Sequence, residues 1–266
     1  MSHKEKSKQS APALSGRQHS SWSEKFMVEE RLVPASTQRG IYLTSLALAA
    51  VGLGLFLVLL VGVLSQSGLQ RFDQPVATWF ISQRSDTLTD MAIVLAVAFG
   101  PVALPIIVLL VILGWTLLAK HAWRPVLLAA GMATGLLLAQ TIPRLVQHPR
   151  PPVDLMLFGA DSTFSFPSGH VLGTSNFLLI LAFLIASRRQ QTSLTVLLFT
   201  IAAVVILAQV ASRLYLGYHW LSDTAASIAL SLLILGVLMS IDTARTVRVP
   251  GEQIHGAHSQ PQVDGT

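Results

Sequence analysis

Cysteine is absent from all 266 residues, which removes disulfides, thiolate zinc sites and a cysteine nucleophile together. Charge is scarce as well. Only 12% of the residues are charged against 52% apolar, and a water-soluble domain of this length would lack the polar groups to cover its surface. The basic residues behind the net charge of +5 gather at the ends of apolar runs and lack the interleaved aromatics of a nucleic-acid stripe, so no nucleic-acid partner is expected. A cleavable leader is not expected either, because the first 40 residues are polar and the first apolar run is long enough to remain as an anchor. No internal repeat is evident.

What the chain has instead is a series of long apolar segments. Ile41 to Leu64 gives 24 residues, enough to span a hydrocarbon core of about 30 Å at roughly 1.5 Å per residue. Further runs are Met91 to Leu118, Pro125 to Ile142, Ser168 to Ala186, Leu194 to Ala211 and Thr224 to Ile241. Gly100-Pro101 and Pro105 interrupt the second run and can split it in two. Between the first two spans, Phe72, Val76, Trp79, Phe80 and Ile81 mark an amphipathic segment, with Trp79 suited to an interface. The expected fold class is therefore all-α: a polytopic membrane helical bundle with about six transmembrane helices. Residues 1–39 read as a disordered cytoplasmic tail, 40–241 as the membrane domain and 242–266 as a second disordered cytoplasmic tail.

Basic residues orient the bundle. With the N-terminus inside, Lys4, Lys6, Lys8, Arg17, Lys25, Arg31, Arg39, Lys120, Arg124, Arg188, Arg189, Arg245 and Arg248 are cytoplasmic, 13 of the 18. Arg71, Arg84, Arg144, Arg150 and Arg213 face outward. Three of those five belong to chemically distinctive clusters, and an anionic ligand is the simplest reason to keep them there.

In Pro167-Ser168-Gly169-His170 a proline, a capping serine and a glycine open the fourth span. A helix start offers free N–H groups and a positive dipole end, which seats a phosphate with His170 beside it as general acid. In Ser212-Arg213-(five residues)-His219-(three residues)-Asp223, a helical turn would put His219 and Asp223 on one face. The carboxylate then fixes the tautomer and makes His219 a nucleophile, while Arg213 clamps phosphate oxygens with its fork. Prolines flank Arg150 in the loop after the third span and hold it as a second clamp. Each cluster has an ordinary reading on its own, as a helix cap, an aromatic belt or a basic loop. All three fall at the same expected membrane face, and that agreement favours a phosphate site.

The order Arg-Pro, Pro-Ser-Gly-His, Ser-Arg-(five)-His-(three)-Asp resembles the three-part signature of the type 2 phosphatidic acid phosphatase family, which shares its site with vanadium haloperoxidases. The resemblance covers roughly residues 65–241. It implies His219 as the phosphorylated nucleophile, Asp223 as its partner, His170 as the acid, and Arg150, Arg213, Ser168 and Gly169 as phosphate-binding groups. The family's first motif begins with a lysine seven positions before the arginine of Arg-Pro. Here that position is Pro143, with Arg144 adjacent as the expected substitute cation.

The expected activity is metal-independent hydrolysis of a lipid phosphate or diphosphate at the extracytoplasmic face, with no cofactor and no obligate protein partner. Undecaprenyl diphosphate, phosphatidic acid and phosphatidylglycerol phosphate all fit, and the resemblance favours the polyprenyl carrier. A phosphotransferase using the same phosphohistidine is the leading alternative. A metal-dependent hydrolase on His170, His219 and Asp223, a transporter or scaffold binding anionic lipid, and a haloperoxidase are the other readings.

Overall fold

Long apolar runs with few charges form helices because a membrane-embedded backbone must satisfy every N–H and C=O within the segment. The computed structural model describes residues 25–252 and 259–262. Among them are eight α-helices: α1 (Ala35–Ser65), α2 (Asp73–Ser82), α3 (Asp86–Ala98), α4 (Ala103–Leu118), α5 (Trp123–Val146), α6 (Gly169–Arg189), α7 (Thr192–Tyr215) and α8 (Leu221–Thr246). Five of them, α1, α5, α6, α7 and α8, are each long and apolar enough to cross a membrane, and α3 with α4 makes a sixth span bent by 47°. The chain is a multi-pass helical membrane protein, as its apolar runs anticipate. The bend lies at residues 99–102, where Gly100-Pro101 interrupts the helix. The amphipathic segment after the first span is α2, with Trp79 exposed and Phe80 packed against Tyr215, Leu216 and Tyr218.

The helices α6 and α8 are the most enclosed, and α1 lies along α8 at very short range. A Cβ at Gly52 would stand 2.5 Å from the Leu233 nitrogen, and one at Gly236 would stand 2.5 Å from the Ser45 carbonyl oxygen. Small residues allow this approach, and Ser45 Oγ and Ser240 Oγ hydrogen-bond across it at 2.8 Å. A second apolar cluster around Leu128, Ile180, Leu184 and Leu235 joins α5, α6 and α8. Leu46, Val58, Leu110, Leu136 and Leu207 point outward, the face a bilayer covers.

The first and last described segments of the chain meet at one end of the bundle. There β1 (Val28–Leu32) lies between β2 (Val247–Arg248) and β3 (Ser259–Pro261), all parallel. This differs from the expected disordered tails over residues 25–39 and 242–262; residues 1–24, 253–258 and 263–266 lie outside the described residues. Tertiary pairing gives the reason. Glu30 is buried and pairs with Arg248 at 3.0 Å, and Lys25 Nζ donates to the last carbonyls of α4, 2.6 Å from the Ala119 oxygen. α8 also runs to Thr246, beyond the expected Ile241.

At the opposite end, the start of α6 is tied to the start of α8. Ser227 Oγ lies 2.9 Å from both the Ser168 and Asp223 carbonyl oxygens, and the Ser168 N–H points to the Asp223 carbonyl at 3.4 Å. Gly52→Val should force α1 away from α8. Overpacking of this kind typically costs about 1–3 kcal/mol, so the thermal midpoint of the detergent-solubilised protein should fall while that of Gly54→Val, where no atom lies within 4 Å, stays near wild type.

Candidate active site

After α7 the chain turns at Gly217, whose φ of +79° and 2.4 Å notional Cβ contact with the Leu155 carbonyl leave no room for another residue. The turn delivers Tyr218 and His219 as a loop just ahead of α8. His219 therefore stands outside the helix, and the expected one-face helical spacing with Asp223 is not what joins them. Asp223 is in the first turn of α8, where its Oδ2 accepts the Trp220 N–H at 2.8 Å as a cap.

Asp223 is fully buried. It accepts from His148 Nδ1 at 3.1 Å and from the Ser165 hydroxyl, and lies 3.5 Å from His219 Nδ1. The nearer partner of His219 Nδ1 is the Ser165 carbonyl oxygen at 3.0 Å. A carbonyl only accepts, so Nδ1 carries the proton and Nε2 keeps its lone pair. That Nε2 lies 3.2 Å from Arg150 Nη1. Burial pushes the His219 pKa down to about 4, further aided by Arg150 and opposed by Asp223, so the ring is neutral near pH 7.

Arg150 is held from several sides. Its Nη1 donates to the Tyr218 carbonyl at 2.7 Å, Nη2 to Thr163 Oγ1 at 2.9 Å, and Nη2 pairs with Asp161 at 3.0 Å. Burial raises the Asp161 pKa, but the Thr163 N–H and hydroxyl and Arg150 outweigh it and hold the carboxyl below its ordinary value. Arg213 is different. It is 3% exposed, its guanidinium stacks 4.4 Å from the Tyr218 ring centre, and its Nε has no hydrogen-bond partner among the described residues. A buried cation with an unanswered donor calls for an anion.

A cavity of about 390 Å³ lies against Arg213 and is also lined by His170, Asp161, Tyr218, Phe158 and the Gly100-Pro101 break. Its rim carries exposed Val97, Val102 and Phe158. Ser168 caps α6, accepting the Val171 N–H at 3.5 Å, and is itself buried. Its side chain is occupied, while Gly169 and His170 supply first-turn N–H groups that have no intrahelical acceptor.

The structure thus brings His219, Asp223, Arg150, Arg213, His170, Ser168 and Gly169 together at one end of the bundle; Arg144 is at that end too, but on the exposed outside of α5. That side chain is exposed and folds back on the Gln140 carbonyl of its own helix, so it is no substitute for a cation at Pro143. A step of one residue turns a helix by about 100°, which carries Arg144 off the face Pro143 occupies. Sequence reasoning passed over His148, Ser165, Asp161 and Thr163. The spacing of His148, two residues before Arg150, was the one available signal. Among the described residues, no group of three or more His, Asp or Glu side chains is placed to hold a metal ion.

Residues 124–246 match the family model of the PAP2 superfamily. The chain is 24% identical over 194 residues to phosphatidylglycerophosphatase B of Bacillus subtilis (strain 168), covering 72% of this chain and 94% of that protein. It is also similar to the crystal structure of a transmembrane PAP2-type phosphatidylglycerolphosphate phosphatase from Bacillus subtilis, with a TM-score of 0.64 and 22% identity over 72% of this chain and 96% of that one.

His148→Ala leaves a buried carboxylate oxygen without its donor, which typically costs about 1–3 kcal/mol. The thermal midpoint should drop. In His148→Asn the amide nitrogen falls near the position of Nδ1 and should recover most of the loss.

Proposed function

From the premise that the chain belongs to the PAP2 superfamily through residues 124–246, we propose that it is a membrane lipid phosphatase working through a phosphohistidine on His219. The observation that carries this is the buried Arg213, whose Nε is unanswered beside a cavity shared with His170. The similarity to a phosphatidylglycerophosphatase supports a glycerophospholipid monoester such as phosphatidylglycerol phosphate or phosphatidic acid. Undecaprenyl diphosphate offers the same terminal phosphoryl group. The apolar rim of Val97, Val102 and Phe158 suits a substrate whose chains remain in lipid.

In the first step the Nε2 lone pair of His219 attacks phosphorus and forms the N–P bond. The P–O bond to the lipid breaks, and His170 gives its proton to the departing oxygen. Arg213, Arg150 and the first-turn N–H groups of α6 offset charge on the equatorial oxygens. The imidazolium that forms is stabilised by Asp223 and by Nδ1–H on the Ser165 carbonyl. In the second step water attacks phosphorus, His170 takes its proton, the N–P bond breaks and phosphate leaves. No step is routed through a metal ion, and full turnover in a strong chelator is the expected result; loss of activity restored by one divalent ion would favour the metal-dependent reading.

The site end of the bundle carries Arg71, Arg84, Arg144, Arg150 and Arg213, and the end with the small sheet carries the larger set of cations. By the positive-inside preference the sheet and both ends of the chain are cytoplasmic and the site is extracytoplasmic. A membrane-impermeant phosphate ester cleaved by intact cells would agree; cleavage only after permeabilisation would reverse the orientation.

His219→Ala should lower phosphate release to about 10⁻⁴ of wild type or less, measured across the three lipids with no acceptor present; near-normal release would remove His219 as nucleophile. Arg213→Lys keeps the charge but loses the fork, and a loss of about tenfold to a hundredfold in kcat/KM is expected. The pH dependence follows from burial. His219 loses its lone pair only as pH falls through about 4, so its ring resonances in ¹⁵N-histidine NMR should titrate there and not near the ordinary value. Arg150 lowers that pKa, and Arg150→Ala should shift the titration upward.

A further inference from the structure

A cavity larger than the one at this site lies elsewhere in the molecule. A recess of about 750 Å³ opens at the opposite end, between the α4–α5 turn, the end of α6 and the start of β1. Lys120, Arg124, Arg188 and Arg189 line it, and among the described lining residues Glu29 is the one carboxylate. Glu29 is shared, since it pairs with Arg188 and stands 3.5 Å from His121 Nε2. Arg124 Nη1 donates to the Leu184 carbonyl at 2.6 Å and is fixed in the wall. Among the described residues, the lining cations outnumber the one lining carboxylate. Asp242 lies behind the wall, accepting from Trp123 Nε1 at 2.9 Å, and the cations that face it are Arg124 and Arg31.

We propose that this recess binds the headgroup of an anionic phospholipid in the leaflet opposite the active site. Three features select a lipid over a soluble anion. Leu118 is 90% and Leu117 77% exposed at the rim, a surface for acyl chains. Trp115 and Trp123 sit in the lining at the level where aromatic side chains meet headgroups. Basic recesses between helix ends on the cytoplasmic side suit such headgroups. Because α6 carries Arg188 and Arg189 at one end and Gly169 and His170 at the other, a headgroup bound here grips the helix that presents the phosphate seat.

The test reads lipid retention and not turnover, so it is independent of the reaction assigned to His219. The full-length protein and a Lys120→Gln/Arg189→Gln variant, both changed at exposed positions, are placed in phosphatidylcholine nanodiscs doped with phosphatidylglycerol. Bound lipid is then counted by native mass spectrometry. Wild type should retain phosphatidylglycerol selectively and the variant should bind it about thirtyfold more weakly, each cation near a headgroup contributing about fivefold. Equal retention by both proteins would overturn the site. Displacement of the lipid by equimolar inorganic phosphate would overturn the choice of a lipid as its occupant.

Discussion

Burying the carboxylate of Asp223 is the constraint from which the candidate-site end of this protein is built. An ionised group removed from water is tolerated only when donors surround it. Here they come from separate stretches of chain: His148 after α5, Ser165 before α6, and the Trp220 N–H with the His219 ring before α8. To satisfy one carboxylate, the loop after the third span must fold over the start of the sixth. That folding carries Arg150 to the edge of the His219 ring. His219 is positioned as a consequence of answering a buried charge.

The two arginines of the site differ in what they are given. Arg150 is committed to Asp161, Thr163 and the Tyr218 carbonyl, and serves as a rigid wall beside Nε2 of His219. Arg213 rests on the Tyr218 ring, which offsets part of its charge without occupying its donors. The first arrangement fixes geometry and the second keeps affinity for an incoming anion. A site with two fully paired arginines would bind phosphate poorly, and one with two unpaired arginines would be costly to bury.

The spans and the α3–α4 break were legible because length, apolarity and proline act locally. The clusters around His170 and His219 were legible because their residue types are unusual at a helix end. His148 and Ser165 were not, since nothing in a proline-rich loop indicates that a carboxylate 75 positions away will need a donor. Arg144 was misread for a geometric reason: adjacent helical residues share sequence but not a face. The strand at Val28–Leu32 was hidden similarly, because its partner Val247–Arg248 lies at the far end of the chain and Glu30 becomes a core residue only through Arg248.

The helix α6 connects these local facts into one mechanical argument. Its N-terminal dipole end opens at Ser168 and His170, and its C-terminal end carries Arg188 and Arg189, the charge that end favours. Between them Leu172, Ile180 and Leu184 are fully enclosed, with Ser227 and Ser231 of α8 hydrogen-bonded to its backbone. A helix packed this closely moves as a unit, because interiors at crystal-like density transmit displacement and do not absorb it. Ser168 and His170 are thus joined through one helix to the arginines at its far end, and Ser227 joins Ser168 to Asp223. The two ends of the bundle are chemically distinct but share one rigid element.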